Sequence, residues 1–234
     1  MTVLQVPGVA NVRDVGGIRA GSSRIREGVL LRSGQLAGLT PEGESVLAAR
    51  VRRVIDLRDD AEVAAEPSAF RAAETVRVPL FLGSVASFFD EDMSLASMYR
   101  HLVEDAAPRL VQAVRLIADG EPTLVNCTIG KDRTGVTIAL ALSAVGADRD
   151  EVVDDYALTA SLLPERRTRA VVAYLQANHP EARHAVELAT ASPAPVMREL
   201  LHQLDAEHGS VADYLRAQGL TTAELDGLGA TLLG

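Results

Sequence analysis

Apolar and polar positions follow two regimes along this chain. Up to about residue 147, short apolar runs bounded by turn signals alternate with stretches of helical spacing; beyond Asp148 only helical spacing remains. Gly16-Gly17, Gly21-Ser22-Ser23 and Gly34 bracket Ile18 and the run Val29-Leu30-Leu31, which predicts a hairpin or edge strands. Thr40-Pro41 reads as an N-cap followed by the first helical residue, opening a helix to about Arg50. Val51 to Leu57 predicts a buried strand, Asp59 to Ala65 a short helix, and Thr75 to Leu80 another strand. Ser94 to Ala118 reads as helix with a restart at Pro108, closed by Gly120-Glu121-Pro122. Thr123 to Asn126 is a short apolar strand and Cys127 to Arg133 a glycine-containing loop. The helix from Thr134 to about Val145 is apolar on nearly every side and therefore central. Six further helices are expected at roughly 150–160, 164–178, 181–190, 194–207, 210–218 and 222–233. Strands alternating with helices over residues 50–147 predict an α/β fold: a mainly parallel central sheet flanked by helices, then a helical C-terminal third. No repeat or low-complexity linker divides the chain, so residues 1–234 read as one domain.

Composition narrows the function. With 47% hydrophobic residues the chain can bury a substantial core, but only 3% are aromatic, so Leu, Val, Ile and Ala must build it. The 32 acidic and 23 basic residues give a net charge of −9, which argues against nucleic-acid binding and weakly against acidic lipid surfaces. The single cysteine, Cys127, excludes an internal disulfide and a Cys-rich metal site; the five histidines show no metal-ligand spacing, so no metal or other cofactor is expected. The N-terminal stretch lacks a basic, apolar leader pattern, and Val136 to Ala147 is too short to span a bilayer. A soluble, cytoplasmic protein without integral membrane association is the expectation.

The candidate chemistry lies in Asn126-Cys127-Thr128-Ile129-Gly130-Lys131-Asp132-Arg133-Thr134-Gly135. A compact loop between a strand and a helix N-terminus turns backbone N–H groups toward an anion. A cysteine at the base of such a cradle lies in positive potential that favours the nucleophilic thiolate. The planar fork of Arg133 matches two phosphate oxygens, and the Thr134 hydroxyl is placed to donate to the sulfur. Gly130 and Gly135 permit close backbone approach. The bland alternative, Cys127 as a buried small hydrophobe, is the commoner fate of a lone cysteine, but the combined spacing and context outweigh it. No Gly-x-Ser-x-Gly elbow is present, and Gly130-Lys131 is followed by Asp rather than Ser or Thr, against a nucleotide-binding loop.

This segment resembles the signature loop of the protein tyrosine phosphatase superfamily, and its Gly-Lys-Asp-Arg-Thr-Gly portion is similar to bacterial dual-specificity-like enzymes of the mycobacterial protein tyrosine phosphatase B group. The likeness extends to Asn11-Val12-Arg13-Asp14-Val15, Leu31-Arg32-Ser33, Asp56-Leu57-Arg58 and the stretch from Gly209 to Gly234. It implies a tyrosine-phosphatase-like fold in which about 156–196 forms a helical lid, with Leu162, Leu163, Val171, Val172 and Leu175 as cover and Arg166, Arg167 and Arg169 available to phosphorylated ligands. An ordinary packed helix with a solvated arginine face has equal weight. It also implies hydrolysis of phosphotyrosine through a phosphocysteine. Cys127, Arg133 and Asp132 would be catalytic, and Thr128, Ile129, Gly130, Lys131, Asp132, Thr134 and Asp56 would bind substrate. One departure stands out: Asn126 occupies a position where the family usually has His, which would weaken thiolate activation.

A general acid is also required. Asp132 is favoured by the resemblance; Asp90, Glu91 and Asp92 form the alternative, with an acidic turn before a helix as their structural reading. Asp56 could contact substrate, brace the loop or form a strand-end ion pair with arginine. Lys131, a cation beside the phosphate site, keeps a phosphoinositide substrate open beside a phosphotyrosine protein. Asn126 alone suggests a non-catalytic phosphoprotein-binding module, and the cysteine a sulfur-transfer or redox protein, which Arg133-Thr134-Gly135 disfavours.

Overall fold

Three parallel strands form the centre of the sheet because each alternates apolar side chains between two cores. The computed structural model describes residues 1–80 and 92–234. Strands β1 (Thr2–Val3), β2 (Arg13–Asp14), β5 (Leu30–Ser33), β6 (Arg53–Asp56), β7 (Glu74–Arg77) and β8 (Thr123–Asn126) make a six-stranded sheet of order β1-β2-β5-β8-β6-β7. β5, β8, β6 and β7 are parallel neighbours, while β1 and β2 add antiparallel to the β5 edge. β3 (Arg19–Ala20) and β4 (Ser23–Arg24) pair as the small hairpin that the glycine spacing predicts.

Leu31, Leu124 and Val54 lie in one row across the sheet and enter the smaller core with Leu36, Leu47, Val51 and Phe70. One residue further along, Val125 and Ile55 point the other way, into the larger helical core, as period-2 alternation requires. The next row, Ser33, Asn126 and Asp56, is polar and lies at the carboxyl ends of the strands. That edge is where open α/β sheets place ligands.

Helix α1 (Pro41–Ala48) starts with Thr40 accepting from the Gly43 amide and Pro41 at its first turn. α2 (Asp60–Ala65) begins in a reciprocal capping box between Asp59 and Glu62. α3 (Leu95–Glu104) is capped by Ser94, and α4 (Ala107–Ala118) carries Pro108 in its first turn, so the break falls two residues before the proline. α5 (Asp132–Ala144) is buried along its whole middle, from Thr134 to Leu142. Each such leucine contributes about 1.5–3 kcal/mol of burial, and Leu140→Ala would cost roughly 2–5 kcal/mol.

α6 (Arg149–Leu162), α7 (Glu165–Asn178), α8 (Ala185–Thr190), α9 (Ala194–His208), α10 (Val211–Ala217) and α11 (Thr222–Leu232) complete the helical third. α8 starts later than its sequence pattern suggests, because residues around Pro180 form a turn. α6 and the segment before α9 are clasped together: the Ala160 amide donates to Ser192 Oγ (2.9 Å), and that hydroxyl donates to the Ala157 carbonyl (2.8 Å). No helix among the described residues is long and apolar enough to cross a membrane.

Candidate active site

The loop from Cys127 to Lys131 leaves the central strand β8 and runs into α5, and its carbonyls are held from outside. The Thr128 carbonyl accepts from the Gln35 amide (3.1 Å). Asn11 Nδ2 reaches the Ile129 and Gly130 carbonyls (both 3.0 Å), and Arg32 Nη2 also donates to Gly130 (2.7 Å). A peptide's N–H points opposite its C=O, so three carbonyls anchored outward turn the following amides inward. Among the described residues no carbonyl or side chain takes the amides of residues 128–134, and the start of α5 has no side-chain cap. The result is a set of free donors at a helix N-terminus, the arrangement that binds an anion.

Gly130 makes this turn possible. Its φ is +70°, and a Cβ there would lie 2.3 Å from the Ser33 carbonyl oxygen, so any side chain would force the loop off β5. Gly135 has a different constraint: a Cβ would stand 3.0 Å from the Tyr156 ring.

The outer brace is a buried charge cluster. Arg13 Nε and Arg32 Nη1 grip the two oxygens of Asp155 at 2.7 and 2.5 Å, all three side chains being essentially inaccessible. Arg13 Nη2 adds the Asp155 carbonyl and Thr159 Oγ1, and Nη1 donates to Asn11 Oδ1. Burial and the neighbouring Arg32 lower the Arg13 pKa to about 10 despite Asp155. Burial alone would raise the Asp155 carboxyl, but the two guanidiniums hold it below its ordinary value. Two cations on one carboxylate leave net positive charge directly behind the loop. The family resemblance includes Asn11-Val12-Arg13 and Arg32 but not Asp155, whose one signal is an acidic residue among the buried positions Val152, Val153 and Tyr156.

Cys127 is buried at the start of the loop, and Arg133 lies opposite Glu62 of α2. The guanidinium donates to both Glu62 oxygens (2.6 and 2.7 Å), to Thr128 Oγ1 (3.0 Å) and, at 3.4 Å, to the Leu57 carbonyl. Thr128 Oγ1 donates in turn to Glu62. Burial opposes charge on Arg133, but Glu62, Cys127 and Asp132 outweigh it and push its pKa above the ordinary value. Burial works against the Glu62 carboxylate too; Arg133, Thr128 and the Asp59 amide overcome it and bring its pKa down to about 2. Glu62 is not among the sequence candidates; its one local signal is the capping-box spacing from Asp59.

Several candidates occupy places that differ from their sequence reading. Lys131 is wholly buried, its Nζ 2.5 Å from Asp132 Oδ1 rather than free beside an anion. Asp132 is the first residue of α5, two positions earlier than expected, where a carboxylate suits the helix dipole. Its Oδ1 also accepts from Tyr99 Oη at 2.7 Å. Thr134 Oγ1 is buried with no hydrogen bond reaching it among the described residues, so the expected donation to the cysteine sulfur is not made.

Asp56, a candidate substrate contact, is 2% exposed and has both oxygens committed to Arg58 at 2.7–3.2 Å. It braces the strand end, because an enclosed carboxylate requires a paired cation. Asn126 Nδ2 leans on the same Asp56 at 3.4 Å, while its Oδ1 has no hydrogen-bond partner among the described residues. Asp92 accepts from the His184 amide (2.9 Å), tying it to the start of α8; Asp90 and Glu91 lie outside the described residues.

Beside the loop, Thr128, Ile129, Gly34, Gln35, Leu163, Pro164 and Arg167 border a cavity of about 560 Å³. Of the expected lid residues, Leu163 and Leu175 are buried, Leu162, Val171 and Val172 are half-buried, and Arg166 and Arg169 are exposed.

Residues 4–234 match the model of the tyrosine phosphatase family. The chain is 28% identical to the triple specificity protein phosphatase PtpB of Mycobacterium tuberculosis, with full coverage of both chains. It is 28% identical to a putative tyrosine-protein phosphatase of Cupriavidus necator, covering 94% of this chain and 85% of that one. Among solved structures, P. aeruginosa TpbA overlaps 72% of this chain and 89% of its own at 18% identity, with a TM-score of 0.35. A match that runs through the cysteine loop, its braces and the terminal helices places the chain in the tyrosine phosphatase family.

Proposed function

We propose that this phosphatase hydrolyses phosphotyrosine through a phosphocysteine on Cys127. The observation that supports the reading most is the anchoring of three successive loop carbonyls outward, which leaves the opposing amides free above a buried cysteine. The amides of residues 128–134 would bind the phosphate oxygens, with Arg133 oriented on the same group by Glu62. Negative charge concentrated on the transferring group is stabilised best by such fixed donors.

In the first step the Cys127 thiolate attacks phosphorus and the bond to the tyrosine oxygen breaks. Asp132 gives its proton to that oxygen. In the second step Asp132 takes a proton from water as the water attacks phosphorus, and the sulfur departs as thiolate. The unpaired Thr134 hydroxyl is available to stabilise that thiolate once it forms. No step as written uses a metal, so chelation should leave the rate unchanged.

The phosphoinositide alternative drew on Lys131 as a cation for ligand, yet its Nζ is spent on Asp132. Phosphoinositides are the second substrate class to test. The 161–191 excursion, clasped at its base by Ser192, is the lid in this reading, with Leu163, Pro164 and Arg167 beside the loop cavity.

Purified protein should release phosphate from phosphotyrosine peptides faster than from phosphoserine peptides or phosphoinositides. Quenched wild-type enzyme should carry phosphate on Cys127, and Cys127→Ser should bind a phosphate analogue without turnover. Retained turnover in Cys127→Ser would overturn the mechanism; analogue binding without hydrolysis by the wild type would establish a binding module.

A further inference from the structure

Two buried tyrosines stand behind Asp132. Tyr99 comes from α3 and Tyr156 from α6, and both are fully inaccessible. Their hydroxyls are 2.7 Å apart, and Tyr99 Oη is also 2.7 Å from Asp132 Oδ1. The rings meet edge to face, with centroids 6.0 Å apart and planes at 82°. The Tyr156 ring lies so near Gly135, one turn into the catalytic-loop helix, that a Cβ there would stand 3.0 Å from it.

The proton order in this chain follows from valence. A carboxylate oxygen only accepts, so Tyr99 must spend its one hydroxyl proton on Asp132. Tyr156 then supplies the proton between the two hydroxyls. Both phenols are held in the protonated, donating form: burial, then the negative charge of Asp132, raises the pKa of each above the ordinary tyrosine value. Lys131 Nζ donates to the same oxygen at 2.5 Å. Asp132 Oδ1 therefore accepts two donors and has no place for a proton of its own.

We infer that Tyr99, backed by Tyr156, is a positioning residue for the general acid, reserving Oδ1 as a fixed acceptor and directing the transferable proton to Oδ2. The inference rests on the assignment of Asp132 as that acid. With Oδ1 occupied by two donors the carboxyl cannot rotate freely, and its proton meets the leaving oxygen from one side. The hydroxyl chain strengthens the terminal donor further, since each bond polarises the next. Among the described residues, the other charged groups around Asp132 are Lys131 and Arg133 on its own loop and Arg167 of α7. On the same side, Arg32 of β5 and Glu187 of α8 act on Tyr156. None of these presents a hydroxyl to Oδ1, so Tyr99→Phe removes one donor and leaves the charges in place.

The test is the pH dependence of kcat/KM for aryl phosphates with graded leaving groups, measured on wild type, Tyr99→Phe, Tyr156→Phe and Asp132→Asn. Tyr99→Phe should lower the plateau roughly tenfold for poor leaving groups, the effect of losing one hydrogen bond to a charged group. It should also steepen the leaving-group dependence, as expected when the proton no longer reaches the leaving oxygen reliably. Tyr156→Phe should do the same by a smaller factor, and it carries the test if Tyr99→Phe fails to fold. Asp132→Asn should abolish the basic limb. A folded Tyr99→Phe or Tyr156→Phe with wild-type leaving-group dependence, while Asp132→Asn steepens it, overturns the positioning role and leaves the acid assignment standing. A limb that survives Asp132→Asn overturns the acid assignment itself.

Discussion

Arg133 and Asp132 are adjacent in one loop, yet the structure holds them in opposite ways. Arg133 is gripped by Glu62, a side chain from a short six-residue helix at the rim that keeps 21% of its surface in water. Asp132 is gripped from inside, by a lysine and a tyrosine with no exposure at all. The difference matches the two tasks proposed for them. A guanidinium whose N–H groups lie on Glu62, Thr128 and Leu57 must exchange some of those partners for phosphate oxygens, and a rim contact can yield. A proton donor must meet one oxygen at one distance, and only buried contacts give that constancy. Behind both stands the Arg13–Asp155–Arg32 cluster, which fixes the loop carbonyls whichever side is engaged.

Breaking the common support should have the largest effect. Asp155→Asn leaves two enclosed guanidiniums with nothing to neutralise them, a change that typically costs about 3–5 kcal/mol. Denaturant unfolding should show the loss, with activity falling as the loop carbonyls are released. Next, Arg133→Lys keeps the charge but not the fork, and should lower kcat/KM roughly 10²–10³-fold, the usual result of removing a preorganised donor.

Glu62→Gln sharpens the contrast, because it disturbs only the rim. Arg133 keeps its place but loses its orienting carboxylate, for a loss in kcat/KM of roughly tenfold. Its stability signature depends on pH. The Glu62 carboxyl is held at about 2 in the folded protein against an ordinary 4.5, so the ion pair contributes fully above pH 4.5 and is lost as pH falls toward 2. Unfolding free energies of wild type and Glu62→Gln should therefore differ at neutral pH and converge over that window. The smallest effect is expected from Asn126→His, which adds a titratable donor beneath the loop beside Asp56. The acidic limb of the pH–rate profile should move downward, and an unchanged limb would mean that the loop amides and helix N-terminus already dominate the thiolate.

What could be read from residues alone follows the same division between local and distant. The strand, loop and helix around Cys127 are contiguous, so the turn glycine, the arginine and the apolar helix announce themselves together. α5 begins two residues before the expected Thr134 because Lys131-Asp132 looks like loop in sequence, while in space the aspartate is a suitable first helical residue. Lys131 read as a ligand cation because sequence shows its charge but not that its head group faces Asp132. Tyr99, Tyr156 and Glu62 come from separate elements, and no local periodicity marks their approach to the loop. Asp155 lies among Asp150, Glu151 and Asp154, where a buried carboxylate looks like one more solvated charge.

The Ser192 clasp gives the chain a modular seam. Residues 161–191 leave α6 and return to almost the same point, since one serine hydroxyl touches both Ala157 and Ala160. The last brace on the catalytic loop, Thr159, lies before the departure. An excursion whose ends already meet can be lengthened, shortened or exchanged without pulling on the cysteine loop. Changes that keep Arg167 and Glu187 would thus reshape which molecules enter while leaving the charges around Asp132 in place, and an engineer could graft a segment between Ala160 and Ser192 on the same condition.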